Sequence, residues 1–291
     1  MTTWLLWLAL AAADPGVEAP LQEAWQAART EATWRSPYAA ERSALRDAVA
    51  RLAADAASCT EETLADARRL LEPADFTLEV LGEGEDRILL LREARERRGA
   101  GLVAIRCGEA DDRVWQAPHA FFDLQTGAIV RRIFAETDAR AAMWNTIHRY
   151  RAMPGERPED PVNPADVTRE TGSLFHAATV GLAVGNPDLR FLQVHGFAQD
   201  LDLEGVVSTG NAEDPPTAVA QALTPVIGPT GAFGADTDRL GATRNVQGQM
   251  LAEFPGRRFL HLELSREIRA SLTADADLRR ALVEALGEAG W

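Results

Sequence analysis

The 291-residue chain carries 44 acidic against 30 basic residues, a net charge of −14, so it lacks the basic footprint of a nucleic-acid binder. Its 46% hydrophobic content can fill a sizeable core, and no stretch reaches the roughly 20 apolar residues of a membrane span. All 30 basic residues are arginine, which removes chemistries that need a lysine amine: a pyridoxal phosphate Schiff base, a lysine aldolase, a phosphate-loop ATPase.

The chain opens MTTWLLWLALAAADPG. The apolar run Trp4 to Leu10 followed by three alanines resembles a secretory signal without its usual positive charge. The alternative is a first helix packed on the domain. Residues 1–13 are therefore set apart as a signal segment, whose removal would place the protein in the periplasm or outside the cell. Without it the chain would be cytoplasmic. Residues 14–58 read as an N-terminal helical extension and 59–291 as the main domain. Cys59 and Cys107 suit one disulfide in an exported protein and suit two buried thiols equally well.

From Val17 to about Ser58 the pattern is helical, with Ser36-Pro37 as a start signal and Leu45, Val49 and Leu52 at three- and four-residue steps. A helix over Glu61 to Leu71 starts behind Thr60 and stops at Pro73. Four short strands follow, Phe76 to Val80, Arg87 to Leu91, Gly101 to Arg106 and Val114 to Ala117, split by Gly- and charge-rich turns that predict hairpins. After His119, helix and strand patterns alternate. Helices are expected near 127–135, 167–184, 217–223 and 276–286, and strands near 142–148, 191–194, 206–208 and 258–264. Alternation of this kind predicts an α/β fold: a mixed, largely parallel sheet with helices on both faces, an antiparallel edge and the helical extension. The proline-rich run 154–164 reads as a surface loop. The Gly-rich stretch 225–245 lacks the Lys-Ser/Thr of a phosphate loop and reads as the rim of an active site.

Ligands of such sheets bind beyond the carboxyl ends of the strands, and that is where the chemistry-bearing residues fall. In VWQAPHAFFD the strand stops at Pro118, and His119 and Asp123, four residues apart, can share one side of a helical turn. His195 ends the strand FLQV. The three make a zinc-ligand set with a fourth position left to water, whose proton a nearby carboxylate would take. Glu263 is the candidate base: in FLHLELS, alternation puts Leu260, Leu262 and Leu264 on one face and Phe259, His261, Glu263 and Ser265 on the other. A glutamate inside so apolar a strand is costly without a role. In MWNTIHRYR, strand alternation puts Asn145 and Arg149 on one side, fit to hold a substrate carboxylate, with Arg266 and Arg269 as alternatives. His261 is a candidate partner of Glu263. No Gly-x-Ser-x-Gly elbow occurs.

The order His-x-x-x-Asp, Asn and Arg, a His after a strand, then a Glu on a late strand resembles the zinc carboxypeptidases and the N-formylglutamate amidohydrolases, over about Val114 to Arg269. FLHLELSREIR is similar to the late strand of the formylglutamate group. The resemblance implies a phosphorylase/hydrolase-like sheet flanked by helices. It implies zinc on His119, Asp123 and His195, Glu263 as general base, and Asn145 with Arg149 as the carboxylate-binding pair. The chain departs in having Asp for Glu and a spacing one residue longer, which leaves Glu136 as the alternative carboxylate ligand. The expected activity is zinc-dependent cleavage of an amide bond in a peptide or N-acyl amino acid. The competing expectations are a non-catalytic binding protein that keeps the fold and a metal-free hydrolase using paired carboxylates.

Overall fold

The computed structural model describes residues 15–29, 34–84, 87–95, 98–151, 163–198, 201–256 and 258–291. Residues 1–13, read above as a possible signal segment, and most of the proline-rich run 154–164 lie outside them. Two helices, α1 (Pro15–Arg29) and α2 (Ala39–Ala54), take the place of the continuous helical stretch expected at the start. α3 (Glu61–Leu71) begins where Thr60 accepts a hydrogen bond from the Thr63 amide, and a 3-10 turn, Glu72–Ala74, absorbs Pro73. Strands β1 (Phe76–Leu81), β2 (Ile88–Glu93) and β3 (Leu102–Arg106) form the antiparallel edge.

The alternating part then runs β4 (Asp111–Ala117), α4 (Thr126–Glu136), β5 (Ala139–Trp144), α5 (Leu174–Gly185), β6 (Arg190–Gly196), β7 (Gly205–Ser208), α6 (Thr217–Ile227) and β8 (Thr230–Ala232). It closes with α7 (Val246–Leu251), β9 (Phe259–Leu264), α8 (Arg266–Ala274) and α9 (Ala276–Glu288). The nine-stranded sheet has the order β1-β2-β3-β5-β4-β6-β9-β7-β8. Its centre, β5, β4, β6 and β9, is parallel, while β3 joins β5 and β7 joins β9 antiparallel. The mixed α/β class expected from the pattern is the one observed.

Strand alternation divides the core. Trp115, Leu192, Val194, Leu260, Leu262 and Leu264 pack with α4, α6, α8 and α9 on one face. Val114, Phe191 and Phe259 pack with α2, α3 and α5 on the other. The second face also carries a row of buried polar side chains, because Gln116 pairs with Gln193, Gln193 with His261, and His195 with Glu263 in register. Since the four central strands are parallel, their carboxyl ends open on one edge of the sheet. There the chain leaves β4 through Pro118, which has no N–H to extend the ladder.

Three boundaries differ from the sequence reading. β5 stops at Trp144, so residues 145–149 are loop. α5 starts at Leu174, where Ser173 caps it by accepting from the His176 amide. The glycine-rich stretch contributes β8 and then walls the cleft. Cys59 and Cys107 form a disulfide. Among the described residues no helix is long and apolar enough to cross a membrane.

Candidate active site

A cleft of about 1380 Å³ opens at the carboxyl ends of the parallel strands. At its floor the segment after Pro118 makes a single helical turn, closed by the Asp123 amide donating to the His119 carbonyl at 2.8 Å. The turn stacks His119 and Asp123 on one side, Nδ1 to Oδ2 3.4 Å. From the end of β6, His195 reaches the same carboxylate oxygen, Nδ1 to Oδ2 3.2 Å. All three side chains are buried, and their donor atoms lie within 4.8 Å of one another.

Outer partners fix the ring tautomers. His119 Nε2 stands 2.8 Å from Asp166 Oδ1, which can only accept, so Nε2 carries the proton. Asp166 is itself held by Thr168, whose hydroxyl donates at 2.7 Å, and by Arg149 Nη2. His195 Nε2 donates to Gln193 Oε1 at 3.2 Å. That oxygen also accepts from Asn245 at 2.7 Å, while Gln193 Nε2 donates to Gln116 Oε1 at 2.8 Å. With both Nε2 atoms protonated, both Nδ1 lone pairs face the Asp123 carboxylate. Three electron-pair donors thus converge among buried side chains, with Arg149 Nη1 standing 3.2 Å from His119 Nδ1.

This arrangement fits a metal ion. Ligands about 2.1 Å from a tetrahedral ion stand about 3.4 Å apart, close to the two spacings found. A carboxylate behind one ligating imidazole and an amide oxygen behind the other are the outer partners such sites use. Two imidazoles and a carboxylate are a donor set for zinc and its first-row neighbours rather than for magnesium or calcium.

The electrostatics agree. Burial works against a charge on His119, but Asp166 and Asp123 outweigh it and hold its pKa above the ordinary value. Burial also opposes charge on Asp123, and His119 and His195, donating from Nδ1 when they carry the additional proton, override that and keep the carboxyl far below the usual range. His195 is pushed down by burial against only partial help from Asp123. Glu263, near the end of β9, is buried and has its pKa raised to about 8, first by burial and then by the charge of Asp123.

The arginines divide. Arg149 reaches the site, with its guanidinium engaged by Asp166 and by His119 Nδ1. Arg269 lines the cleft but is committed to backbone, Nη1 donating to the Leu264 carbonyl at 2.7 Å. It crosses so close to Gly196 that a Cβ there would sit 1.7 Å from Nη1. Arg266 is exposed on the rim. Asn145 does not reach the cleft: beyond the end of β5 its side chain closes on the backbone of Ile147 at 3.1 and 3.4 Å. Glu136, the alternative ligand, pairs instead with Arg279 at the far end of α4.

Asp166, Thr168, Gln193 and Asn245 did not stand out in the sequence. The one local signal is Asp166-x-Thr168 at the close of the proline-rich run, a short side-chain turn motif of weak specificity. Arg169 and Arg244 also line the cleft.

No protein-family model and no curated protein matches the chain. Solved structures similar to it include a gene product of Agrobacterium tumefaciens, 13% identical over 62% of this chain and 92% of that one, TM-score 0.42. Another is a succinylglutamate desuccinalase from Vibrio parahaemolyticus, 12% identical over 72% and 78%, TM-score 0.43. A third is a metallo-carboxypeptidase from Burkholderia cenocepacia, 14% identical over 79% and 70%, TM-score 0.38.

Proposed function

We propose that the chain is a hydrolase cleaving an amide bond in a carboxylate-bearing substrate, a peptide or an N-acyl amino acid. His119, Asp123 and His195 would hold the metal ion, zinc by the donor set. The observation that carries this reading is the convergence of three buried lone-pair donors on one point, in the same cleft as a buried glutamate that has no counter-charge in hydrogen-bond contact. When bound, the ion supplies Lewis acidity, lowering the pKa of water at its open position and polarising the substrate carbonyl.

The chain's own residues do the rest. Glu263 Oε2 is buried and has no hydrogen-bond partner among the described residues, and it would take a proton from the attacking water and return it to the leaving nitrogen. A carboxyl near neutrality can make both transfers. Asp166 and Gln193 hold the two imidazoles in the tautomer that presents Nδ1. Arg149, relieved of the His119 lone pair once that nitrogen is ligated, has a donor to offer the reacting carbonyl oxygen. Arg169, Arg244 and Arg266, for which the described residues show no ion pair, would bind the substrate carboxylate. Phe122 and Leu124, exposed at the lip, offer an apolar surface to its side chain. The Cys59–Cys107 disulfide supports an oxidising compartment, periplasmic or extracellular.

The opposite displacement of Asp123 and Glu263 also suits a metal-free pair of carboxylates. Glu263→Gln and a chelator separate the readings. The metal reading expects Glu263→Gln to keep its zinc and lose about 10²–10⁴ in kcat on N-acyl amino acids, with chelation abolishing activity. Activity that survives chelation, or a fully active Glu263→Gln, would overturn it.

A further inference from the structure

We propose that Asn245 is a positioning residue for the metal site: by capping α7 it sets the direction of a buried amide network that keeps the proton of His195 on Nε2 and turns the Nδ1 lone pair toward the ion. The role rests on the metal-site reading above, since it concerns one of the three ligands. Asp123 alone would favour the other tautomer, because a proton on His195 Nδ1 could donate to the carboxylate oxygen 3.2 Å away. Something must oppose that preference, and the group in contact with Nε2 is the amide of Gln193.

A glutamine side chain can present its oxygen or its nitrogen to a neighbour, so its orientation has to be set from outside. Here backbone groups set it along three routes. The N–H groups of Gln247 and Gly248, at the start of α7, each donate to Asn245 Oδ1 at 3.0 Å. Asn245 therefore turns its Nδ2 to Gln193, at 2.7 Å, and the atom that meets it must be Oε1. On the opposite side, the Thr179 hydroxyl donates its proton to the Phe175 carbonyl of α5 at 3.0 Å. Its oxygen then accepts from Gln116 Nε2, which leaves Gln116 Oε1 facing Gln193 Nε2. Gln247 Nε2 donates to the Val167 carbonyl at 2.8 Å and so turns its own oxygen toward Gln193 Nε2 as well. Asn245, Gln193, Gln116, Thr179 and Gln247 are all buried, and a reversed Gln193 would set like groups against one another on both sides, at the cost of buried unsatisfied donors and acceptors. Asn245 is the member that meets the same oxygen as His195, so its replacement acts on the ligand most directly.

The test uses the full chain with Asn245→Asp and, independently, Asn245→Ser. Both keep an oxygen that caps α7, but the first sets an acceptor against Gln193 Oε1 and the second withdraws the donor. Zn(II) affinity, measured by competition with a chromogenic chelator, should fall by about tenfold to a hundredfold in Asn245→Asp, the loss typical of an outer partner, and by less in Asn245→Ser, with the urea midpoints of the metal-free chains unchanged. Nitrogen-15 spectra of the metal-free, histidine-labelled chain should show neutral His195 protonated at Nε2 in the wild type and proton density moved to Nδ1 in Asn245→Asp, a change that a merely structural cap would not produce. Wild-type affinity with an unaltered His195 spectrum in both variants would overturn the role of Asn245 and leave the metal site standing. A wild-type chain that binds no zinc would overturn the metal-site reading itself.

Discussion

At the scale of single residues the site is a problem of lone pairs. His119 Nδ1, His195 Nδ1 and an Asp123 oxygen stand 3.2 to 3.4 Å apart along the two contacts that join them, and a proton or a metal ion relieves the mutual repulsion. The raised pKa of His119 and the value near 8 on Glu263 show the protein drawing protons toward the site in the ion's absence. A dication favours the deprotonated form of both, so binding at pH 7 must expel protons, and affinity must rise with pH until both groups are deprotonated in the free protein. Calorimetry in buffers of differing ionisation heat should find net proton release at pH 7, its size changing as Glu263 titrates near pH 8. Release that did not change with pH would contradict this assignment of protons. His119, Asp123, His195 and Glu263 were legible because each follows or closes an apolar strand. Asp166 was not, since it meets His119 across 47 residues and nothing local marks the approach. The pairing of Asn145 with Arg149 failed for a definite reason: strand alternation was extended past Trp144, where the strand has ended.

At the scale of elements, the polar row on the sheet needs a rigid backing, and α5 provides it. Thr179 on α5 accepts from Gln116 at 3.0 Å, and Gln116 accepts in turn from Gln193, which orients His195. α5 is held against α2 through glycines: a Cβ on Gly185 would fall 2.3 Å from the Ala50 carbonyl oxygen, and one on Gly181 2.6 Å from that of Arg46. Alanine would gain up to about 1 kcal/mol in helix propensity, but overpacking of this kind costs about 1–3 kcal/mol, and the backbone carbonyl cannot step aside as a flexible side chain could. Gly185→Ala should therefore lower the urea-unfolding midpoint. An unchanged or raised midpoint would mean that the helices are not in such contact. Helix contacts of this kind leave no trace in a periodicity, so SLFHAATVGLAVG announces an apolar helix without announcing its neighbour.

At the scale of the molecule, the parallel centre of the sheet brings four strand ends to one edge and so assembles a site from segments up to 144 residues apart, His119 to Glu263. The alternation of helix and strand made that layout legible, while the edge positions of β7 and β8 depend on pairings that no local pattern encodes. The Cys59–Cys107 bridge ties the loop before α3 to the end of β3 across 48 residues, a closure that a chain-entropy account values at about 4 kcal/mol. Reduction should lower the unfolding free energy by an amount of that order, and identical unfolding curves with and without reductant would refute the link. Five arginines line the cleft, Arg149, Arg169, Arg244, Arg266 and Arg269, within a chain of net charge −14. All of it turns on whether the chain holds an ion where the three donors meet. Anomalous diffraction at the zinc edge, from crystals loaded with one equivalent, should give one strong peak about 2.0–2.2 Å from His119 Nδ1, Asp123 and His195 Nδ1. A peak elsewhere, or none, would contradict the account.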